Sequence, residues 1–258
     1  MGKNKLRKFA EMETFHNVFQ CGARELLPDN QIYEMAGRWR AEFFHNANPI
    51  VLELGCGRGE YTVGLARKYP NKNFIGVDIK GARMWAGAKE AEDEGLTNVA
   101  FLRTNIEIIS SFFTKDEVDE IWITFCDPQM KKATKRLTST FFMQRYQQIM
   151  KSGGVIHLKT DSPFLYTYTC EMLQLNGYPI LVQTDNLYSH QSTLEDAISL
   201  QTHYEKQWRD RGMTIKYLEW KLTKKSEFKE PTIDIEHDTY RSYGRNYNIA
   251  SAKSECEN

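Results

Sequence analysis

Short apolar runs alternate with helix-like segments from about residue 50 to residue 176. The apolar runs predict five strands, at 49–54, 73–78, 98–103, 120–125 and 154–159. Three of them, 49–54, 120–125 and 154–159, are almost continuously apolar, as parallel strands covered on both faces should be. The segments between the strands predict helices near 59–69, 81–94, 138–150 and 163–176. This alternation predicts an α/β fold with a parallel sheet and crossover helices.

The pattern is weaker at both ends of the chain. Upstream, the stretch "NQIYEMAGRWRAEFF" (30–44) predicts one helix. Downstream, 177–184 and 214–222 resemble strands, and the segment between them predicts a helix near 193–208. The last residues are polar with little periodicity, which indicates irregular structure. We therefore expect three parts: a basic arm with an accessory helix (1–48), the main domain (49–222) and a C-terminal extension (223–258).

Composition places the chain among ordinary globular proteins. Charged residues make up 26% and apolar residues 41%, and the formal net charge is zero, so any preference for nucleic acid must come from local patches. No apolar run is long enough for a membrane span, and the basic start lacks the apolar stretch of a secretory signal. Five cysteines without CxxC spacing suit a reducing cytoplasm, and unpaired histidines predict no metal site. We expect a cytoplasmic monomer or homodimer.

A glycine-rich turn follows the first strand. Gly55, Gly57 and Gly59 stand in "ELGCGRGE", between a predicted strand and a predicted helix, and Asp78 ends the next strand. Glycines permit a tight turn and a close ligand approach, and an acid at that place binds ribose hydroxyls in nucleotide-binding sheets. The GxGxG spacing differs from the GxGxxG of dinucleotide sites, which disfavours a nicotinamide-dependent oxidoreductase.

A carboxylate and a basic stretch follow the fourth strand in "CDPQMKKATKR" (126–136). Asp127 should reach the carboxyl edge of the sheet, where ligands of such sheets bind. Residues 128–160 contain several lysines and arginines but no acidic residue. A run of basic residues usually forms a solvent-exposed helix face. For this loop we favour contact with phosphates. The predicted RNA-contacting residues are Lys131, Lys132, Lys135 and Arg136.

The glycine phrase resembles the first motif of the class I S-adenosylmethionine-dependent methyltransferases, whose fold is Rossmann-like with a mostly parallel seven-stranded sheet and helices on both faces. The resemblance implies that Glu53, Gly55 and Gly57 line the methionine end of S-adenosyl-L-methionine. It also implies that Asp78 binds the ribose and that Asn105 meets the adenine. A helix cap is an equally good interpretation of Asn105.

Together with "ITFCDPQMKKATKRL", "GGVIHLKTD" and "THYEKQWRDRG", the chain resembles the bacterial tRNA (guanine-N7-)-methyltransferase family over about residues 50–222. That family methylates guanosine-46 in the variable loop of tRNA, so the resemblance implies tRNA as the partner. It implies that Asp127 is catalytic and lies beside the donor. The implied substrate-binding residues are Lys131, Asp161, Thr202, His203, Tyr204 and Glu205.

The sequence departs from that family in the loop after the fourth strand. Pro is usual where Cys126 stands, Trp-Pro is usual at Gln129 and Met130, and the loop is about two residues shorter than usual. Cys126 also raises the alternative of a cytosine-5 methyltransferase, but its neighbour is an acid rather than a cation that would activate a thiol. We favour structural packing for it.

Guanine N7 needs no deprotonation before attack, so the site must chiefly align the reactants and stabilise charge. We expect Asp127, Asp161 and Glu205 to bind the N–H groups of the guanine edge. Tyr204 either stacks on the base or packs in the core. Two alternatives stay open: a methyltransferase that acts on a protein or small molecule, and a catalytically silent RNA-binding module.

Overall fold

The computed structural model describes residues 3–26, 31–189 and 194–239 and contains one eight-stranded sheet. The strand order is β1-β4-β3-β2-β5-β6-β8-β7. All neighbours run parallel except β8, which is antiparallel to β6 and β7. The strands are β1 Val18–Gln20, β2 Ile50–Leu54, β3 Asn73–Asp78, β4 Val99–Arg103, β5 Val118–Thr124, β6 Met150–Thr160, β7 Ile180–Thr184 and β8 Lys216–Lys221.

Helices cover both faces of the sheet, as the almost continuously apolar strands predict. The α-helices are α1 Lys3–Met12, α2 Ala23–Leu26, α3 Glu60–Lys68, α4 Gly81–Asp93, α5 Thr140–Ile149, α6 Pro163–Leu175, α7 Glu195–Ser199 and α8 His203–Asp210. The apolar residues of α3 and α4 belong to one buried cluster, and those of α5 and α6 belong to another. In the described ranges, no helix is long and apolar enough to cross a membrane.

The first 48 residues contribute to the sheet and to its core, which the sequence pattern does not reveal. β1 pairs with β4 at the edge of the sheet and makes it eight-stranded instead of seven-stranded. The helix predicted over 30–44 is wrong: its described part consists of turns and a short π-helix, Trp39–Phe43. Trp39 is fully buried, and its indole N–H donates a hydrogen bond to the Phe112 carbonyl. Tertiary packing therefore outweighs helical periodicity here.

The structure near the C-terminus differs from the prediction for residues 193–208 and describes only part of the predicted extension. The helix expected near 193–208 begins at the edge of the described residues, and its described part is two short helices, α7 and α8, joined by an extended residue at Leu200. Residues 223–239 contain no helix or strand, and the rest of the predicted extension lies outside the described residues.

The sheet order opens a site between β2 and β5. The chain passes from β2 through α3 to β3 on one side, and from β5 through α5 to β6 on the other. Connections that leave neighbouring strands in opposite directions leave a crevice at the carboxyl ends of those strands. The glycine turn follows β2 and Asp127 follows β5, so both reach this crevice.

Two glycines let the helices approach the sheet closely at this point. A Cβ on Gly87 of α4 would lie 2.5 Å from the Arg58 carbonyl oxygen and 3.0 Å from the Cα of Gly59. A Cβ on Gly76 would lie 2.7 Å from the Thr62 hydroxyl. The glycine turn is thus held directly against α4 and β3.

We expect Gly87→Ala to destabilise the fold by about 1–3 kcal/mol, because the added methyl meets rigid backbone. Urea unfolding measures the change. Gly64→Ala is the matched control, since it also lies within a helix but its Cβ would meet only the tip of the Leu200 side chain. Equal stability of the two variants would contradict this packing argument.

Candidate active site

A cleft of about 480 Å³ lies at the carboxyl ends of β2, β3, β4 and β5. This volume is in the range typical of small-molecule sites. Eight of the residues predicted from the sequence line it: Gly55, Gly57, Asp78, Asn105, Asp127, Lys135, Thr202 and Tyr204. The other predicted residues lie beneath its walls or on the surface outside it.

The glycine turn forms the floor of the cleft. Gly55 and Gly57 have φ values of 80° and 56°, in the left-handed region that side chains disfavour. Asp78 holds the turn to the end of β3, because its carboxylate accepts hydrogen bonds from Gly57 N at 2.9 Å and from Lys80 N at 2.8 Å. The carboxylate also lines the cleft, so the residue predicted to bind ribose organises the turn as well.

Glu53 lies under the turn and does not line the cleft. Its carboxylate accepts hydrogen bonds from Thr62 N at 2.9 Å, from the Thr62 hydroxyl at 2.6 Å and from the Thr124 hydroxyl at 2.8 Å. Burial raises the pKa of Glu53 to about 7, although these hydrogen bonds oppose the shift. Thr124 does line the cleft, so Glu53 is one hydrogen bond away from it.

The far end of the cleft contains Asn105 and Thr104, whose side chains make no hydrogen bond within the described residues. Asn105 occupies the N-cap position of a 3₁₀ helix, Ile106–Ser111, but its side chain makes no capping hydrogen bond there. The adjacent Thr104 is fully buried, and its hydroxyl has no partner among the described residues. Both residues line the cleft, and the side chain of Asn105 can serve a polar heterocycle there.

Asp127 enters the cleft from a strained turn. Phe125 and Gln129 on either side both have φ of 49°, which is uncommon for residues with a side chain. Phe125 N donates to the Lys159 carbonyl at 2.9 Å, and Gln129 N donates to Asp127 Oδ1 at 2.9 Å. The exposed carboxylate is thus held in a fixed position beside the glycine turn.

The basic loop, residues 128–136, contains both exposed and buried cations. Lys131 and Lys132 are exposed, and Lys135 lines the cleft and pairs with Glu107. The predicted RNA contact of Arg136 is not found: the residue is only 4% exposed, so in this structure it does not present its charge to RNA. Its guanidinium instead donates to backbone carbonyls of the same loop, those of Pro128, Gln129 and Met130.

A buried ion pair replaces the predicted contact between Glu205 and the substrate. Glu205 and Lys159 are both fully buried, and their charged atoms lie 2.7 Å apart. The Tyr188 hydroxyl donates to the same carboxylate at 2.5 Å. Burial lowers the pKa of Lys159 to about 8, and Glu205 opposes that shift. Glu205 therefore cannot bind a guanine edge in this structure.

Lys159 also fixes the segment that leads into α8. Its ammonium donates to the carbonyls of Ala197 and Leu200 and to the Tyr61 hydroxyl. Thr202 begins α8 by accepting a hydrogen bond from Glu205 N at 3.1 Å. The strand end of β6 thus sets the position of the α8 start, which forms one wall of the cleft.

The remaining predicted residues are distributed between surface and interior. Tyr204 lines the cleft with 36% of its area exposed and lies 5.7 Å from the Arg83 guanidinium, so it is available for stacking. His203 is exposed outside the cleft, with its backbone N–H bonded to Glu60. The predicted substrate contact of Asp161 is not found: the residue is completely buried and cannot reach a substrate in this structure.

Sequence reasoning missed several residues of the cleft. Glu60 begins α3 directly after the last glycine of the turn, a position that the motif could have indicated. Arg83 and Thr104 line the cleft without any local signal. The cleft is lined by four acidic and four basic residues, so its lining has no formal net charge; these are Glu60, Asp78, Glu107, Asp127, Arg58, Lys80, Arg83 and Lys135. Single carboxylates among them, such as that of Glu60, can face the sulfonium and ammonium cations of a ligand. The described residues contain no cluster of groups arranged to hold a metal ion.

Comparisons with known proteins identify the family of the chain. The chain matches a family model described as a putative methyltransferase over residues 47–218. It is 58% identical over 245 residues to the tRNA (guanine-N(7)-)-methyltransferase of Bacteroides fragilis, covering 95% of this chain and 96% of that protein. It is 41% identical over 227 residues to the enzyme of the same name from Cytophaga hutchinsonii, covering 86% and 99%.

Solved structures with a similar fold include the 16S rRNA methyltransferase KamB. The TM-score is 0.57 at 14% identity, over 74% of this chain and 96% of that chain. A second similar structure is an antibiotic-related methyltransferase, with a TM-score of 0.52 at 16% identity over 74% and 96%. At this identity the likeness establishes the Rossmann-like methyltransferase fold alone.

The buried Glu53 predicts a pH-dependent stability. Because its pKa is about 7 in the fold and near 4.5 when unfolded, its stabilising contribution is complete below pH 4.5 and is lost as the pH rises through 7. The unfolding free energy of the wild type minus that of Glu53→Gln should fall by about 3 kcal/mol between pH 4 and pH 8. Urea unfolding across this range measures it. Glu13→Gln, which removes an exposed carboxylate, is the control, and a constant difference for Glu53→Gln would contradict the argument.

Proposed function

Because the chain belongs to the tRNA (guanine-N(7)-)-methyltransferase family of S-adenosylmethionine-dependent enzymes, we propose that it transfers a methyl group to N7 of a guanosine in tRNA. We take guanosine-46 of the variable loop as the target. The observation that carries this proposal is the placement of Asp127, held by a strained turn in the same cleft as the glycine turn.

The residues at the floor of the cleft fit the methyl donor. Gly55 and Gly57 bring backbone close to a ligand, and Asp78 offers a carboxylate to ribose hydroxyls. Asn105 provides polar contacts for an adenine ring. S-Adenosyl-L-methionine supplies an electrophilic methyl group on a sulfonium cation.

Asp127 and Tyr204 align the guanine against the donor. N7 attacks with its own lone pair, so no general base is required, and the purine becomes cationic as the methyl arrives. The fixed carboxylate of Asp127 stabilises that positive charge, and Tyr204 provides a face on which the extruded base stacks. Thr202 adds a hydroxyl at the same wall. The buried carboxylate of Glu205, paired with Lys159, supports this wall from beneath.

The basic loop binds the tRNA backbone. Lys131 and Lys132 are exposed next to Asp127, where they can neutralise phosphates near the target base. Lys135 pairs with Glu107 at the cleft edge and contributes less free charge. We place the enzyme in the cytoplasm with its tRNA substrate, and we expect a monomer or homodimer, which sedimentation of the purified protein checks.

The reaction is tested by incubating the protein with unmodified tRNA and the methyl donor, followed by nucleoside mass analysis for 7-methylguanosine. We expect Asp127→Asn to lower turnover by at least about 10²-fold, as loss of a preorganised electrostatic group does, while donor affinity changes only a few-fold. Asp93→Asn, an exposed carboxylate outside the cleft, is the control. Binding of tRNA without any methylation would instead identify a catalytically silent RNA-binding module.

The role of the basic loop predicts a change in salt dependence. Replacing Lys131 and Lys132 by alanine should weaken tRNA binding and reduce the slope of log affinity against log salt by about 1–2, because up to two phosphate contacts are lost. Binding titrations at several salt concentrations measure the slope. The matched control replaces Lys115 and Lys221, exposed at the opposite edge of the sheet. An unchanged slope in the first variant would remove these lysines from the tRNA interface.

A further inference from the structure

We propose that residues 223–239, here named the C-terminal strap, position the basic loop and thereby set the affinity for tRNA. Asp238 and Glu230 are the positioning residues of the strap. The proposal rests on the proposed function, because tRNA is the ligand of the loop, but its structural part can be tested without tRNA.

The basic loop is held from inside by Arg136. The Arg136 guanidinium donates to the Pro128 carbonyl at 3.0 Å and to the Gln129 carbonyl at 3.0 Å. Its outer faces are covered by two rings of α6: it lies 3.9 Å from the Tyr168 ring centroid and 4.8 Å from that of Phe164. The position of the loop therefore depends on where these two rings stand.

Glu230 of the strap holds the first of those rings. One oxygen of its carboxylate accepts a hydrogen bond from the Tyr168 hydroxyl, and the other accepts from the Thr140 hydroxyl at 2.6 Å. The hydroxyl of Tyr168 thus bonds to the strap while its ring faces Arg136. A carboxylate acceptor makes these bonds stronger than neutral ones.

Asp238 holds the second ring and also reaches the loop directly. Its side chain is buried, accepts from Phe164 N at 3.1 Å and accepts from the Ser162 hydroxyl. Its backbone N–H donates to Met130 Sδ at 3.1 Å, which joins the strap to the basic loop. Met130 is one of the positions at which this sequence departs from its family pattern, where proline is usual. A proline there would offer no sulfur to the strap.

Paired contacts fasten the strap along its length. Asn176 and Lys229 exchange two hydrogen bonds of 2.7 Å each, and Gln147 and Lys225 exchange two of 2.9 and 3.2 Å. Phe228 and Ile235 of the strap also pack against the hydrophobic core, and the His237 ring lies edge-on to Phe164. The strap is therefore attached to the domain, chiefly along α5 and α6, by both polar and apolar contacts. It holds the basic loop without lining the cleft.

The test compares Asp238→Ala with the wild type in methylation kinetics on unmodified tRNA. Loss of the charge-assisted hydrogen bonds should raise the KM for tRNA about tenfold, while kcat and donor affinity stay within about twofold. Asp238→Asn retains an acceptor for Phe164 N, but its amide N–H replaces the acceptor of the Ser162 hydroxyl by a donor, so it should restore only part of the affinity. Glu230→Ala, which frees the Tyr168 hydroxyl, should show the same selective rise in KM.

Hydrogen exchange of the peptide covering residues 128–136 gives a second readout that needs no tRNA. Exchange should be faster in Asp238→Ala and Glu230→Ala, and unchanged in Glu236→Ala, an exposed carboxylate on the same strap. Thermal melting verifies that each variant is folded. If the tRNA KM and the loop exchange of both variants equal those of Glu236→Ala, the proposal is overturned. If the wild type forms no 7-methylguanosine, the proposed function fails, and the exchange result still decides whether the strap positions the loop.

Discussion

The carboxyl ends of β2 and β5 lie side by side, while the chain leaves them in opposite directions. This single constraint of the sheet order opens the cleft, because no crossover helix can cover the gap between the two connections. The turn after β2 then becomes the floor, and the turn after β5 becomes the opposing wall. Both turns carry backbone in the left-handed region, at Gly55 and Gly57 on one side and at Phe125 and Gln129 on the other. Rigid strand ends are what can hold such conformations in place.

The sequence predicts those parts of the site that are encoded locally. The glycine turn, Asp78 and Asp127 each follow directly from a strand that ends at the cleft, so their placement needs only the strand pattern and the sheet rule. Arg136 and Glu205 could not be placed in this way, since their burial depends on partners far along the chain. Tyr168 lies 32 positions after Arg136, and Lys159 lies 46 positions before Glu205. The position of a charged residue next to a motif predicts its role correctly only when no residue distant in the sequence buries it or pairs with it.

The N-terminal elements and the docking of the C-terminal strap were not predicted from the sequence, for a different reason. β1 is three residues long, too short to show alternation, and the π-helix at Trp39–Phe43 lies within a pattern typical of a longer α-helix. The C-terminal strap has no periodicity, because it is held by individual polar contacts such as those of Glu230 and Asp238 and by two isolated apolar residues, Phe228 and Ile235. Hydrophobic patterning detects elements that bury a face. A segment that docks through side-chain hydrogen bonds leaves no such pattern.

The buried pair of Lys159 and Glu205 is difficult to explain by stability alone. Removing two charges from water costs several kcal/mol for each ion, and apolar replacements of buried pairs are often neutral or stabilising. One Glu205 oxygen also has no partner among the described residues, which adds a further cost. The pair instead fixes the position of α8. The Lys159 ammonium bonds simultaneously to Ala197, Leu200 and Glu205, and these contacts hold the start of α8 in one position relative to β6. An apolar pair would fill the same space without fixing that geometry, and Thr202 and Tyr204 would then no longer be held against the cleft.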